Sequence, residues 1–272
     1  MIARTVALLA WRSAVQGRLV IAGSLALLAG FQFVIVGQAS AIEEAQSFSR
    51  MAEFIPAFLQ RGLGSRSLLL ATFKGTIAFG YFHPVVAVLT AVVAIYFTTE
   101  PAHEVEAGLV DLTLARAVPR HAVITGALVL ACATIGAAVC LMALGTRAGL
   151  WLFAAPGFTP PSAATTALLL VHLAAVAACF GAFGLALAAS VRRWSTAFTV
   201  AALSAVVLYL IDFLAIGWPQ MKSLAWISPF HYYPALSILA GDAPRYQNLV
   251  ILMTTASALS AYAYWRFSGR DL

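Results

Sequence analysis

The stretch His121–Gly145, "HAVITGALVLACATIGAAVCLMALG", contains no aspartate, glutamate, lysine or arginine. Crossing the hydrocarbon core of a bilayer takes about 20 consecutive apolar residues in an α-helix. This run is long enough, and it is not alone. Further runs give six expected spans, at about 19–38, 76–98, 121–145, 165–190, 196–217 and 247–265. A spanning β-barrel would show short segments of alternating polarity instead. The composition agrees, with 62% hydrophobic residues, 10% charged residues and a mean hydropathy of +0.92. Soluble domains average about 45–50% apolar residues. The expected fold class is an all-α membrane protein, with residues 1–272 forming a single transmembrane domain.

Directly before that run lies "EVEAGLVDLTLARAVPR", Glu104 to Arg120. Four of the ten acids in the chain, Glu100, Glu104, Glu106 and Asp111, fall in or just ahead of it. At about 100° per residue, Glu100, Glu104, Gly108 and Asp111 share one stripe, and Val105, Leu109 and Leu112 form an apolar stripe beside it. Pro101 suits a first turn and Pro119 marks an end. Acids early and Arg116 and Arg120 late match the helix dipole. A short amphipathic helix is expected at about 100–117. Anionic inner-leaflet lipids repel acids, so the acidic stripe suits a protein partner.

Six spans put both termini on one side. Arg18, Arg120, Arg192, Arg193 and Arg266 sit tight against span ends on that side. The positive-inside rule then places both termini in the cytoplasm, in a plasma (inner) membrane. Residues 1–18 form an expected interfacial amphipathic helix, with Val6, Leu9 and Ala10 opposite Arg4 and Arg12. "ASA" at 39–41 resembles a signal-peptidase site. The apolar run before it is longer than the usual signal core of about 7–15 residues, so it is taken as a retained span. Outside, Phe48, Met51, Ala52, Ile55, Phe58 and Leu59 recur at helical spacing and predict a second amphipathic helix at the surface. "WISPFHYYPAL", Trp226 to Leu236, suits an aromatic belt, with a substrate-contacting surface as the alternative.

The pattern E-x-E-x-G-L-x-D-L-x-L-A-R-x-V-P-R resembles the cytoplasmic loop of ABC-2 type permeases, the membrane subunits of bacterial ABC exporters. "SPFHYYPALSILAG" before the last span and the closing "SGRDL" are similar too, as are the number of spans and the length. The resemblance implies a homodimer of permeases coupled to a cytoplasmic ABC ATPase. The 100–117 segment would be the coupling helix in a groove of that ATPase. Glu104, Glu106 and Asp111 would meet basic groove residues. Val105, Leu109 and Leu112 would be buried, Gly108 would allow close approach, and Arg116 and Arg120 would close the segment.

Neither lysine, Lys74 after Phe73 or Lys222 after Met221, supplies the Gly-Lys of a Walker A loop. That loop cradles nucleotide phosphates, so ATP and magnesium are expected on the partner subunit, with no enzyme activity in this chain. The 14 arginines are dispersed over loops without interleaved aromatics, which argues for lipid anchoring and against nucleic acid. Cys132, Cys140 and Cys179 lie in spans without CxxC spacing, and the five histidines are scattered, so no metal site is expected.

An ionisable residue inside a span is costly and is a functional candidate by default. Asp212 and His172 reach a similar depth on adjacent antiparallel spans and are expected to pair, as candidates for the translocation path. His83-Pro84 marks an expected kink. Gln32, Thr90 and Ser204 are expected to satisfy neighbouring helices. Three other readings compete: an ion-coupled secondary transporter, which would show internal repeats, a membrane enzyme or haem carrier, which would need clustered ligands or catalytic groups, and a permease-like scaffold that does not transport. The sparsely charged interior favours an apolar or amphipathic cargo.

Overall fold

The computed structural model describes residues 2–53, 55–108, 119–243 and 245–269. Among the described residues the regular elements are all helical. Five helices are long and apolar enough to span: Arg18–Glu44, Phe73–Glu106, Arg120–Phe153, Ala163–Ser190 and Trp194–Ala215.

The chain begins with α1 (Ile2–Gln16), turns at Gly17, and enters α2 (Arg18–Glu44). A Cβ at Gly17 would lie 2.7 Å from the Phe97 ring. A helix covers most of the expected 1–18 stretch, and its Leu9 and Ala10 pack against the bundle. The expected helix at 48–60 is instead two pieces, α3 (Phe48–Glu53) and α4 (Ala57–Leu63), because Pro56 is extended (φ −56°, ψ 137°) and caps the second. Phe58 of α4 packs edge-on against Phe213, with ring centroids 5.8 Å apart. A 3-10 segment over Gly64–Ala71 follows.

The second span breaks where the His83-Pro84 pair predicts. α5 (Phe73–Phe82) starts on Thr72, whose hydroxyl accepts from the Gly75 amide at 3.1 Å. α6 (Pro84–Thr98) has proline at its first position and His83 as its cap, with Nδ1 3.3 Å from the Val85 amide. Proline has no amide hydrogen and its ring excludes the preceding carbonyl, so the ladder is interrupted there. α7 (Glu100–Glu106) continues from Thr99. It ends sooner than the expected 100–117 helix, because Gly108 adopts the left-handed conformation (φ +67°). That conformation suits glycine after a helix end. Residues 109–118 lie outside the described residues.

α8 (Arg120–Phe153), α9 (Ala163–Ser190) and α10 (Trp194–Ala215) supply the next spans. α11 (Lys222–Ala225), a 3-10 turn over Pro229–Tyr232 and α12 (Ala235–Ala240) fold between α10 and α13 (Tyr246–Ser268). α13 is the sixth expected span, and it falls short of the apolarity of the other five. Gln247, Asn248, Thr254, Thr255, Ser257 and Ser260 dilute it. It nonetheless runs the length of the bundle beside α9. The Cys179 thiol reaches the Leu252 carbonyl at 3.4 Å, and Arg120 Nη1 donates to the Ser268 carbonyl at 3.3 Å.

α9 is the axis of the bundle, buried along most of its length, whereas α2 and α10 are mostly uncovered. Small residues make this approach close. A Cβ at Gly184 would lie 2.9 Å from Thr98 Oγ1, and one at Gly181 would lie 3.3 Å from Ala94 Cβ. Those two glycines therefore serve packing within one chain. Thr90 and Ser204 do not bridge helices as expected. Each donates to a carbonyl of its own helix, Val86 at 2.7 Å and Val200 at 2.7 Å. This i−4 bond satisfies a hydroxyl in an apolar setting without a partner helix. Gln32 does reach across, taking a 3.5 Å bond from Thr146, which also bonds Tyr81 at 2.6 Å.

Candidate functional site

Two sites at opposite ends of the bundle collect the polar residues that the sequence singles out. At the first, α1, α7 and the start of α10 converge. Glu104 is turned inward, only 5% exposed. One of its oxygens meets Arg12 Nη1 of α1 at 3.3 Å, and the other has no hydrogen-bond partner among the described residues. Glu106 accepts from the Trp194 amide at 2.8 Å and so caps α10. A carboxylate at a helix N-terminus meets unpaired amides and the positive end of the dipole. Tyr96, His103 and Phe198 surround the Trp194 ring at centroid distances of 6.2, 6.0 and 5.3 Å.

Two of the three acids expected to face a partner are therefore engaged within the chain. Glu104 holds α1 and Glu106 holds α10. Val105 packs beside Val123 and Leu185, and Arg120 bonds the end of α13. Leu109, Asp111, Leu112 and Arg116 lie outside the described residues. Arg12 and Trp194 were not singled out as partners of these acids, because nothing local in sequence links them.

At the far end, a cavity of about 580 Å³ opens between α4, α5, α6, α10 and the 229–237 segment. Six aromatic side chains line it: Phe79, Phe82, Tyr209, Phe213, Phe230 and Tyr233. The "WISPFHYYPAL" segment is thus split. Trp226 and Ile227 are exposed, as a belt requires, while Phe230 is buried against Phe180 and Tyr209 with centroids 5.1 and 5.2 Å away. Tyr233 donates to the Tyr81 carbonyl at 3.4 Å. A Cβ at Gly62 would strike the Ile216 carbonyl oxygen, so only glycine lets α4 close this wall.

Asp212 lines the cavity, but it does not pair with His172. Its carboxylate meets His231 Nδ1 at 3.4 Å. His172 is 1% exposed; its Nδ1 lies 2.8 Å from the Leu168 carbonyl of its own helix, and its ring stacks on Tyr233 at 6.1 Å. His172 is thus held within the bundle by Leu168 and Tyr233, whereas Asp212 lines the cavity beside His231. Arg66 Nη2 binds Asp242 at 2.8 Å and Arg66 Nη1 binds Ser237 at 2.9 Å, clasping the 3-10 segment to α12 across the mouth. Gly241 (φ +81°) ends α12 and presents Asp242, whose amide bonds the Ser237 carbonyl at 3.0 Å.

Among the described residues no three histidine, cysteine, aspartate or glutamate side chains gather as metal ligands. A drug-sized, mostly apolar cavity with a few placed polar groups is what small-molecule binding requires.

Comparison with known proteins agrees with a membrane permease. The chain is 31% identical over 196 residues to the multidrug efflux system permease protein Rv1217c of Mycobacterium tuberculosis, an alignment covering 71% of this chain. It covers 32% of that protein, so the chain spans about a third of the length of this relative. No solved structure matches. Residues 4–268 match the family described as the multidrug efflux system permease Rv1217c, C-terminal domain. With nearly every residue inside that match and five helices fit to span, the chain belongs to this family of efflux permeases.

Proposed function

We propose that this chain is the permease subunit of an ATP-driven exporter in a bacterial inner membrane. Two copies pair, a separate cytoplasmic ATPase binds the 100–117 segment, and cargo moves by alternating access through the membrane. The cavity beside Asp212 is the cargo site. The family assignment supports transport. The observation that carries the reading is the placement of the two sites. The acidic segment hangs on the near ends of α6, α8 and α10, and the cavity lies between the far ends of α6 and α10. A push on the one is delivered along the helices that wall the other.

ATP and its magnesium would be held by the partner, and this chain would contribute no hydrolytic group. Within the segment, Leu109, Asp111 and Leu112 are the residues assigned to the ATPase, since Glu104 and Glu106 are used internally. An apolar ridge flanked by charges is how a helix registers in a partner's groove.

The test is a gentle-detergent pull-down of tagged protein, with mass spectrometry and ATPase assay of the eluate. An ATPase subunit is expected with the wild type and with Glu53→Arg at the far end, and is expected to be lost in Asp111→Arg. Well-folded wild type that brings down no ATPase would sink the exporter reading.

A further inference from the structure

Among the described residues two charged side chains, Arg66 and Asp212, line the aromatic cavity, and their circumstances differ. Arg66 is committed, with 2.8 and 2.9 Å bonds to Asp242 and Ser237. Asp212 is not. Its partner His231 stands at 3.4 Å and is charged only when protonated. A charge-assisted bond normally closes to about 2.7–2.9 Å, so the carboxylate retains capacity for another donor. Six aromatic side chains line the same space, and the negative face of an aromatic ring attracts a cation. The volume falls within the usual range for small-molecule pockets, about 300–1,000 Å³.

We propose that this cavity selects amphipathic organic cations, with Asp212 as the counter-ion and the rings of Tyr209 and Phe213 against the apolar body. The proposal rests on reading the cavity as the cargo site. An anion would meet the Asp212 carboxylate, since Arg66 is committed and Lys222 lines the adjoining pocket that shares Asp212 rather than this cavity. A neutral molecule without a hydrogen-bond donor would strip water from that carboxylate and return no bond.

Tetraphenylphosphonium and tetraphenylborate have nearly the same size and shape and opposite charge, and Nile red serves as a neutral probe. Saturable binding of each is measured on the full chain in phosphatidylcholine nanodiscs, with gel-filtration volume as the folding check. The phosphonium is expected to bind and the borate not to. Asp212→Asn should weaken phosphonium binding at least about tenfold, the factor given by about 1.4 kcal/mol, and Asp212→Glu should restore most of it. If Asp212→Asn does not fold, Tyr209→Leu and Phe213→Leu carry the test, with weakening of about threefold or more for each lost ring.

Equal phosphonium binding by wild type and Asp212→Asn, or preference for the borate, overturns the cation assignment. Leu63→Trp, which narrows the cavity, then separates the two readings. If it abolishes borate or Nile red binding, the cavity remains a cargo site with a different selectivity. If it alters none of the three, the cargo site falls as well.

Discussion

Glu104 keeps one oxygen on Arg12 and leaves the other buried without a partner among the described residues. Removing the guanidinium strands a carboxylate away from water, which is more damaging than removing both charges. Because Arg12 is 38% exposed, the pair's own attraction is discounted for screening. Arg12→Ala should cost about 1–2 kcal/mol on that basis. The double variant Arg12→Ala/Glu104→Gln should recover part of it, since an amide fills the same shape without charge. Thermal unfolding in detergent reads both. Equal midpoints for the single and double variants would show that Glu104 needs no counter-charge. Glycine offers a second contrast. A Cβ at Gly75 would strike the Leu69 carbonyl, whereas one at Gly23 meets nothing within 4 Å. Gly75→Ala should destabilise by more than about 1 kcal/mol, while Gly23→Ala should be neutral or slightly stabilising, as alanine favours a helix interior. A Gly75→Ala protein as stable as wild type would mean that the 3-10 segment gives way freely.

Elements were legible where the signal was local. Long uncharged runs set α2, α8, α9 and α10, and the His83-Pro84 pair set the division between α5 and α6. Pro56 divided one helix that periodicity alone carried through, and Gly108 follows the end of another at Glu106, because turn chemistry overrides an apolar repeat. Pairings between distant elements were not legible. Asp212 was matched with His172 by depth alone, whereas helix rotation decides which side chains meet, and it turned Asp212 toward His231 instead. The Glu106 cap on α10 is a joint of the same long-range kind. Glu106→Ala removes the acceptor for the Trp194 amide, and losing a helix cap costs about 1 kcal/mol. Hydrogen exchange should show faster opening confined to the first turn of α10. Uniform change along α10 would argue for global loosening instead.

For the whole molecule, the crossing number rests on α13. If it spans, its two ends label from opposite sides of the membrane. In a background with Cys132, Cys140 and Cys179 replaced, Gly241→Cys should react with a membrane-impermeant maleimide in intact cells. Ser195→Cys and Gly269→Cys should react only after permeabilisation. Labelling of Gly241→Cys and Gly269→Cys from the same side would leave five crossings and put the termini on opposite faces.

The break at His83 divides the second span into a short stub that follows the 3-10 segment clasped by Arg66 and a longer arm that leads to α7. Phe79 and Phe82 sit on the stub, while Pro84 and Ala87 sit on the arm, so a pivot at the break would lie in the cavity wall itself. The arm from Pro84 to Thr98 is about 22 Å long at 1.5 Å per residue. A swing of about 10° would carry its far end sideways by about 4 Å, while the cavity wall beside the pivot moves by only a fraction of that. Motion imposed at the α7 end would therefore reach the cavity geared down, as a small displacement delivered with correspondingly greater force.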